Sequence, residues 1–220
     1  MAGALFWLSG NLDGLVKNAI ESYGSSMTQA RVSVGSVKLS PTDGRGSVKA
    51  FSVGNPPGFK TAYALKVASV EVEIDVASVT QDVVLVRRIA IEAPDVIYEK
   101  GDTLTNFDAL SNHIVKAVNT NADPSRPSKK LIVELLTIRH AQAQASAAFM
   151  NGKTGSVALP DITLKNLGRA KGGISPGELG QEVVSALKTK LSGVASFDRL
   201  MKSGGDALNQ VGAGIKGLFK

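Results

Sequence analysis

Between residues 32 and 100 the chain alternates apolar and polar positions. The clearest run is "ALKVASVEVEIDVAS", residues 64–78: Val70, Val72, Ile74 and Val76 fall on one face and Glu71, Glu73 and Asp75 on the other. A period of two with one apolar face predicts a half-buried β-strand. Upstream, Val32 and Val34 alternate in one phase and Val37 and Leu39 in the other. The slip at Gly35-Ser36 predicts a bulge or bend. "PTDGRG" reads as a turn and "SVKAFSVG" as the return strand. "FSVGNPPGFKTA", residues 51–62, interrupts the alternation. Pro56 and Pro57 donate no backbone hydrogen bond, Asn55-Pro56 starts turns, and Gly58 readily takes a positive φ, so a strand-to-strand loop is expected. "VVLVRRIAIEAPDVIYEK" then places Ile89 and Ile91, and after them Val96 and Tyr98, around a kink or edge at Pro94. "LIVELLTIRHAQAQASAAF", residues 131–149, reads as one long strand. Asn151-Gly152 turns it back into "VALPDITLKNLG".

Three stretches change to the helical period. Leu12, Leu15, Val16, Ala19, Ile20 and Tyr23 form one stripe, with Asn11 as N-cap and Gly24 as stop. In "NFDALSNHIVKAV" Phe107, Leu110, Ile114 and Val118 face one way, capped by Thr105 or Asn106. In "SPGELGQEVVSALKTKL" Ser175, Pro176 and Glu178 make a capping box with proline at the first helical position. Leu179, Val183, Leu187 and Leu191 are its stripe. A tail with Leu200, Leu208, Val211, Ile215, Leu218 and Phe219 is amphipathic and lysine-bearing. Membrane-surface helices and helices packed on a sheet share this pattern. Five glycines between 204 and 217 weaken an isolated helix, so packing is expected.

The element order gives an α+β fold: a curved, mainly antiparallel sheet with an N-terminal amphipathic helix and C-terminal helices packed on or beside it. Residues 1–118 form a helix-plus-sheet module, 119–130 a polar loop, and 131–220 a hairpin and helices completing the same domain.

At 220 residues the chain buries enough surface to fold without a metal or disulfide. It has no cysteine, which excludes disulfides, thiolate nucleophiles and zinc-thiolate sites, and only two histidines, His113 and His140. The net charge of +6 is uneven. Residues 1–120 carry 11 basic and 12 acidic side chains, residues 121–220 carry 14 and 7. Such a basic half suits an anionic surface or a solvated face. The basic residues are scattered with few aromatics among them, so no nucleic-acid partner is expected. The run Leu5, Phe6, Trp7 and Leu8 is a candidate membrane anchor: either an element end tucked into the core or the last turns of a membrane helix whose start has been removed.

No motif carries catalysis, and no enzyme activity, cofactor or metal is expected. "GAGIKG" at 212–217 does not follow a strand, and "NGKTGS" lacks the first P-loop glycine, with Ala147 in its place. Glu71, Glu73 and Asp75 share a face that suits a solvated strand better than a cation site. The sheet offers one function. Long amphipathic strands that curl without closing leave an apolar concave face fit for acyl chains, and a filled core produces the same pattern. The groove candidates are Val70, Val72, Ile74, Val76, Ile89 and Ile91.

Taken in order, these motifs resemble the N-terminal module of the AsmA-like family of bacterial envelope proteins. "VGNPPGF" (residues 53–59), the alternating strand Val70 to Asp75, Ala77-Ser78-Val79 at a turn, "IAIEAPDVIYE" (residues 89–99) and Asn106 at a helix start carry the resemblance, over roughly residues 10–118. "LPDITLKNLG" extends it more loosely. The resemblance implies a periplasmic protein anchored to the inner membrane, with lipid-handling relatives whose large members resemble chorein-type lipid bridges. This chain has little of the anchor and is short for a bridge. The implied role is therefore a small lipid-binding or lipid-transfer module acting on membrane lipid or the bilayer surface, or an accessory subunit of a membrane protein complex.

Overall fold

The fold was analysed on a computed structural model that describes residues 2–120, 129–147 and 155–193, with side chains for 12–120, 129–146 and 158–192. Outside the described residues lie the polar stretch 121–128, the Asn151-Gly152 turn, the tail with its "GAGIKG", and the side chains of Leu5, Phe6, Trp7 and Leu8.

In chain order the elements are α1 (Ala2–Thr28), β1 (Val32–Ser33), β2 (Ser36–Ser40), β3 (Arg45–Val53), β4 (Leu65–Ile74), β5 (Val83–Glu92), β6 (Asp95–Lys100), α2 (Asn106–Thr120), β7 (Lys130–Arg139), β8 (Gln142–Ala147), β9 (Gly155–Ala158), β10 (Ile162–Leu167) and α3 (Pro176–Gly193). The ten strands among the described residues belong to one open, curved, mostly antiparallel sheet. β1 and β2 lie end to end along β3, which pairs with β4. The other side of β4 carries β5 and, at Leu65 and Lys66, β6. β7 and β8 run parallel to β5 and β6, and β10 and β9 close the row. The parallel pairs arise because the connection from β6 to β7 passes through α2, and a parallel neighbour needs such a crossover. Strands from both sides of the polar stretch thus share one sheet.

The curvature has a local cause. Residues 83–100 and 130–147 are each one line of strand broken at the same level, by Ala93 (φ 46°) and His140 (φ 53°). Backbone bonds stitch the corner: Ala93 N–H to Arg139 O (2.8 Å), Gln142 N–H to Pro94 O (2.9 Å) and Leu159 N–H to Ala141 O (3.0 Å). The uninterrupted strand expected over 131–149 is therefore two strands, because a left-handed residue cannot continue the pleat. The expected slip at Gly35 is present, opposite Ala50 at φ 50°, with Gly35 N–H shared between Lys49 O and Ala50 O.

The three helices lie together, α2 touching both α1 and α3. Helix α1 differs from the expected 12–23. It continues upstream through Asn11 to Ala2 and downstream through Gly24 to Thr28, ending where Gln29 takes φ 50°. Gly24 is a contact rather than a stop: a Cβ there would meet Val32 at 3.1 Å. The buried stripe is also narrower than expected. Leu15 is 63% exposed and Tyr23 44%. Beside the stripe runs a second, polar one at i, i+4 spacing. Asp13 Oδ1 accepts from Leu39 N–H (3.1 Å), Lys17 Nζ donates to Gly35 O (3.2 Å), Glu21 Oε1 accepts from Val34 N–H (2.8 Å) and Ser25 Oγ accepts from Val32 N–H (2.9 Å). Four side chains of one helix face thus take up four backbone groups along β1, β2 and the bend between them.

The other two helices begin as read. In α2, Thr105 is the cap: its hydroxyl accepts from Asp108 N–H, and Asp108 accepts from Thr105 N–H and Oγ1. Phe107, Leu110 and Ile114 are buried. In α3, Ser175 Oγ and Glu178 Oε2 exchange bonds with each other's N–H groups at 3.2 and 2.7 Å.

Candidate functional site

The loop of two prolines is held from inside. Asn55 Nδ2 donates to Thr61 O (2.8 Å) and Oγ1 (2.7 Å), and its Oδ1 accepts from Asn106 Nδ2 (2.8 Å). Asn106, fully buried, also donates to Ile97 O and accepts from Glu99 N–H and Phe107 N–H. The Glu99 carboxylate, 2% exposed, accepts from Lys60 N–H (2.7 Å), Thr61 N–H (2.8 Å) and Thr61 Oγ1 (2.6 Å). The loop at 55–61 and the segment 97–107, about 40 residues further along, therefore meet in one buried network. Among the described residues Glu99 has no cationic partner, and the three donors take the place of its hydration. Gly58 at the loop tip takes φ 99°, as its position between Pro57 and Phe59 suggested. The role of this constellation is to fix the β3–β4 connection against β6 and the start of α2. It presents no nucleophile and no general base to solvent.

An open apolar feature lies on the inner face of β3 and β4, under α1. A cavity of about 350 Å³ is lined by Ile20, Tyr23 and Met27 of α1, by Val48, Phe51, Leu65, Val67, Val70 and Ile91 of the sheet, and by Val183, Val184 and Leu187 of α3. A second, of about 560 Å³, is lined by Leu12, Val16 and Ile20, by Val37, Leu39 and Val48, and by Val72, Ile74, Val76 and Val79. Ile20 and Val48 line both, so the two cavities adjoin beside α1 as the two halves of an apolar trough. The trough follows the helix from Leu12 to Thr28, ~24 Å at the α-helical rise of 1.5 Å per residue. Its lips are apolar too: Tyr23, Val76 (44% exposed) and Val79 (40%) stand in solvent.

Five of the six residues read as groove candidates line this trough. Val70 and Ile91 face the first cavity, and Val72, Ile74 and Val76 the second. Ile89 pairs with Val72 in the sheet and, like Val72, Ile74 and Ile91, is half-buried against the core, but it lines neither cavity. The helical wall from α3 was not legible: its residues appeared as a helix stripe, with nothing in the sequence to say which strands they would face. The anchor candidates Leu5, Phe6, Trp7 and Leu8 have their backbone in α1, and their side chains are outside the described residues. Among the described residues no helix is long and apolar enough to cross a membrane.

The outer face of the same strands is charged and neutralises itself. Glu73 pairs with Arg45 (3.4 Å) and Arg88 (3.8 Å), and Asp75 pairs with Arg87 while accepting Ala77 N–H. Glu71 accepts from Ser69 Oγ. The acidic row is thus taken up by neighbours, and no group of three or more metal-ligating side chains occurs among the described residues. His113 Nδ1 contacts Thr28 O (2.9 Å) at the end of α1, and His140 Nδ1 contacts Glu92 on the surface (3.1 Å). No model of a known protein family matches the chain, and no curated protein sequence matches it.

Proposed function

We propose that this is a non-enzymatic lipid-binding or lipid-transfer module of the bacterial envelope, a small relative of the AsmA-like proteins its sequence motifs resemble. One observation carries the reading: an apolar trough, open along its lips, runs beside α1 from Leu12 to Thr28 and is lined by the alternating residues of β4 and by Ile91. Its dimensions suit an acyl chain. The trough is ~24 Å long, and one leaflet contributes ~15 Å of the roughly 30 Å hydrocarbon core. Its walls offer contiguous apolar contact and few polar groups, the lining a hydrocarbon chain requires. The periplasmic location, the inner-membrane association through Leu5, Phe6, Trp7 and Leu8, and the lipid as partner rest on the resemblance.

Native mass spectrometry of gently purified protein, followed by lipid extraction, tests this. Stoichiometric lipid, lost in Val72→Asp with Ile74→Asp while the fold persists, supports the trough as its site. A clean unliganded mass that persists after incubation with lipid vesicles overturns it. That outcome favours the second reading, an accessory subunit of a membrane protein complex. The exposed Leu15, which lines neither cavity, favours that reading as part of a partner surface.

A further inference from the structure

On the opposite face of the sheet from the trough lies a polar pocket of about 420 Å³. The two are back to back because side chains alternate. Val32, Val53 and Leu65 line the trough, and their neighbours Ser33, Ser52 and Lys66 line the pocket. Arg31, Asn55, Phe59, Thr61 and Tyr63 complete the wall.

The charges here are arranged unlike those on the rest of the outer face. Arg45, Arg87 and Arg88 each pair with a carboxylate. Arg31 and Lys66 do not: among the described residues neither has an acidic partner within 4.0 Å. Lys66 Nζ instead lies 4.0 Å over the Tyr63 ring. That ring is fixed by its hydroxyl, which donates to Asp95 Oδ2 (2.6 Å), while Asp95 Oδ1 accepts from Gln144 (2.9 Å). Burial, and then Asp95, push the phenol up to about 12, so Tyr63 stays neutral beneath the ammonium. The Ser33 and Ser52 hydroxyls are 2.8 Å apart. One hydrogen serves that bond, and the other hydroxyl hydrogen is left for a third group. Two acids stand behind the wall, Asp95 and Glu99. Their oxygens are engaged by Tyr63, Gln144, Lys60 and Thr61, and their charge weakens the attraction without occupying the pocket.

We infer that this pocket is an anion site that takes a phosphate group through the Arg31 guanidinium, the Lys66 ammonium and the Ser33–Ser52 hydroxyl pair. A planar fork and a point charge converging on one pocket are the donors a phosphate selects. The phosphate belongs to a soluble ester or to a lipid headgroup, and the site does not depend on the acyl-chain reading of the trough.

The test titrates the isotope-labelled full chain with glycerol phosphate and follows amide chemical shifts. Saturable shifts at Arg31, Ser33, Ser52 and Lys66 are expected at about millimolar ligand, weakened about tenfold or more in Arg31→Gln with Lys66→Gln. Both side chains are exposed, so the thermal midpoint should hold. Lys38→Gln with Lys49→Gln removes the same charge outside the pocket and should leave binding intact. A second arm measures co-sedimentation with phosphatidylcholine vesicles with and without phosphatidic acid. Shifts with glycerol phosphate assign a soluble ester. Binding to phosphatidic acid vesicles that only the Arg31/Lys66 variant loses, without those shifts, assigns a headgroup. Neither response, or binding that the Arg31/Lys66 variant retains, overturns the site.

Discussion

The two ends of the inner face are built from similar strands and finish differently. Under α2 the sheet is filled: Val96 and Ala143 are fully buried, Phe107 is 1% exposed, and its ring lies 6.0 Å from that of Tyr98. Under α1 the sheet is left with a trough. Two features separate them. The strands below α2 include the small Ala143 and Ala145, which let a helix carrying Phe107 come close. The strands below α1 present Leu39, Phe51 and Leu65 among Val and Ile, and α1 is positioned by Asp13, Lys17, Glu21 and Ser25 on the backbone along β1 and β2. Hydrogen bonds to an edge hold that helix at the rim of the sheet rather than against its middle. A helix placed by apolar packing excludes space, and one placed by polar bonds at an edge can leave it.

The contrast is broken most strongly at the filled end. Phe107→Ala is expected to cost about 4 kcal/mol in chemical denaturation, since it opens a cavity where none exists. Any lipid bound in the trough should be retained by the folded fraction. Next is the start of α3, which forms a wall of the trough. Ser175→Ala removes a cap and should cost about 1 kcal/mol. The Glu178 carboxyl is held below its ordinary 4.5, chiefly by the N–H of Ser175 and against the opposing effect of burial. Its contribution is therefore present above pH 4.5 and lost as pH falls through the lower folded value. Stability measured against pH should show that loss in the native chain and not in Glu178→Gln. The smallest stability effect is expected at the open end. Val72→Phe adds volume where space exists and should change stability by under about 1 kcal/mol, against the penalty of overpacking a filled core. The same substitution should displace bound lipid in native mass spectra. A cost of several kcal/mol would show that the trough is packed in solution.

Local chemistry made much of this fold legible. The alternation at 70–76, the slip at Gly35 and the capping box at Ser175 depend on neighbours in sequence, and each is present. What sequence patterning missed depends on partners far along the chain. Leu15 fits the apolar period yet faces solvent, because the width of the buried stripe is set by how far α1 sits over the sheet. The break at His140 has no glycine or proline to announce it, and it is matched to the bend at Ala93 one strand away by backbone bonds across the corner. Ile89 pairs with Val72 and shares its face, yet it does not line either cavity, which depends on how far α1 reaches over β5. Asn55, Glu99 and Asn106 could be read as a turn residue, a strand end and a cap. That they bond one another is a property of the folded chain.

The polar stripe of α1 has a consequence for how the molecule behaves in company. β1 and β2 form an outer edge of the sheet, and an uncovered edge is a template on which a second chain can add its own strand. Asp13, Glu21 and Ser25 occupy the amides such a strand would use, and Lys17 a carbonyl. Opening the trough by lifting α1 would therefore expose a sticky edge together with the apolar lining. Any movement that lifts the helix must be brief or small, or be made against a surface that covers the edge, if the protein is to avoid polymerising.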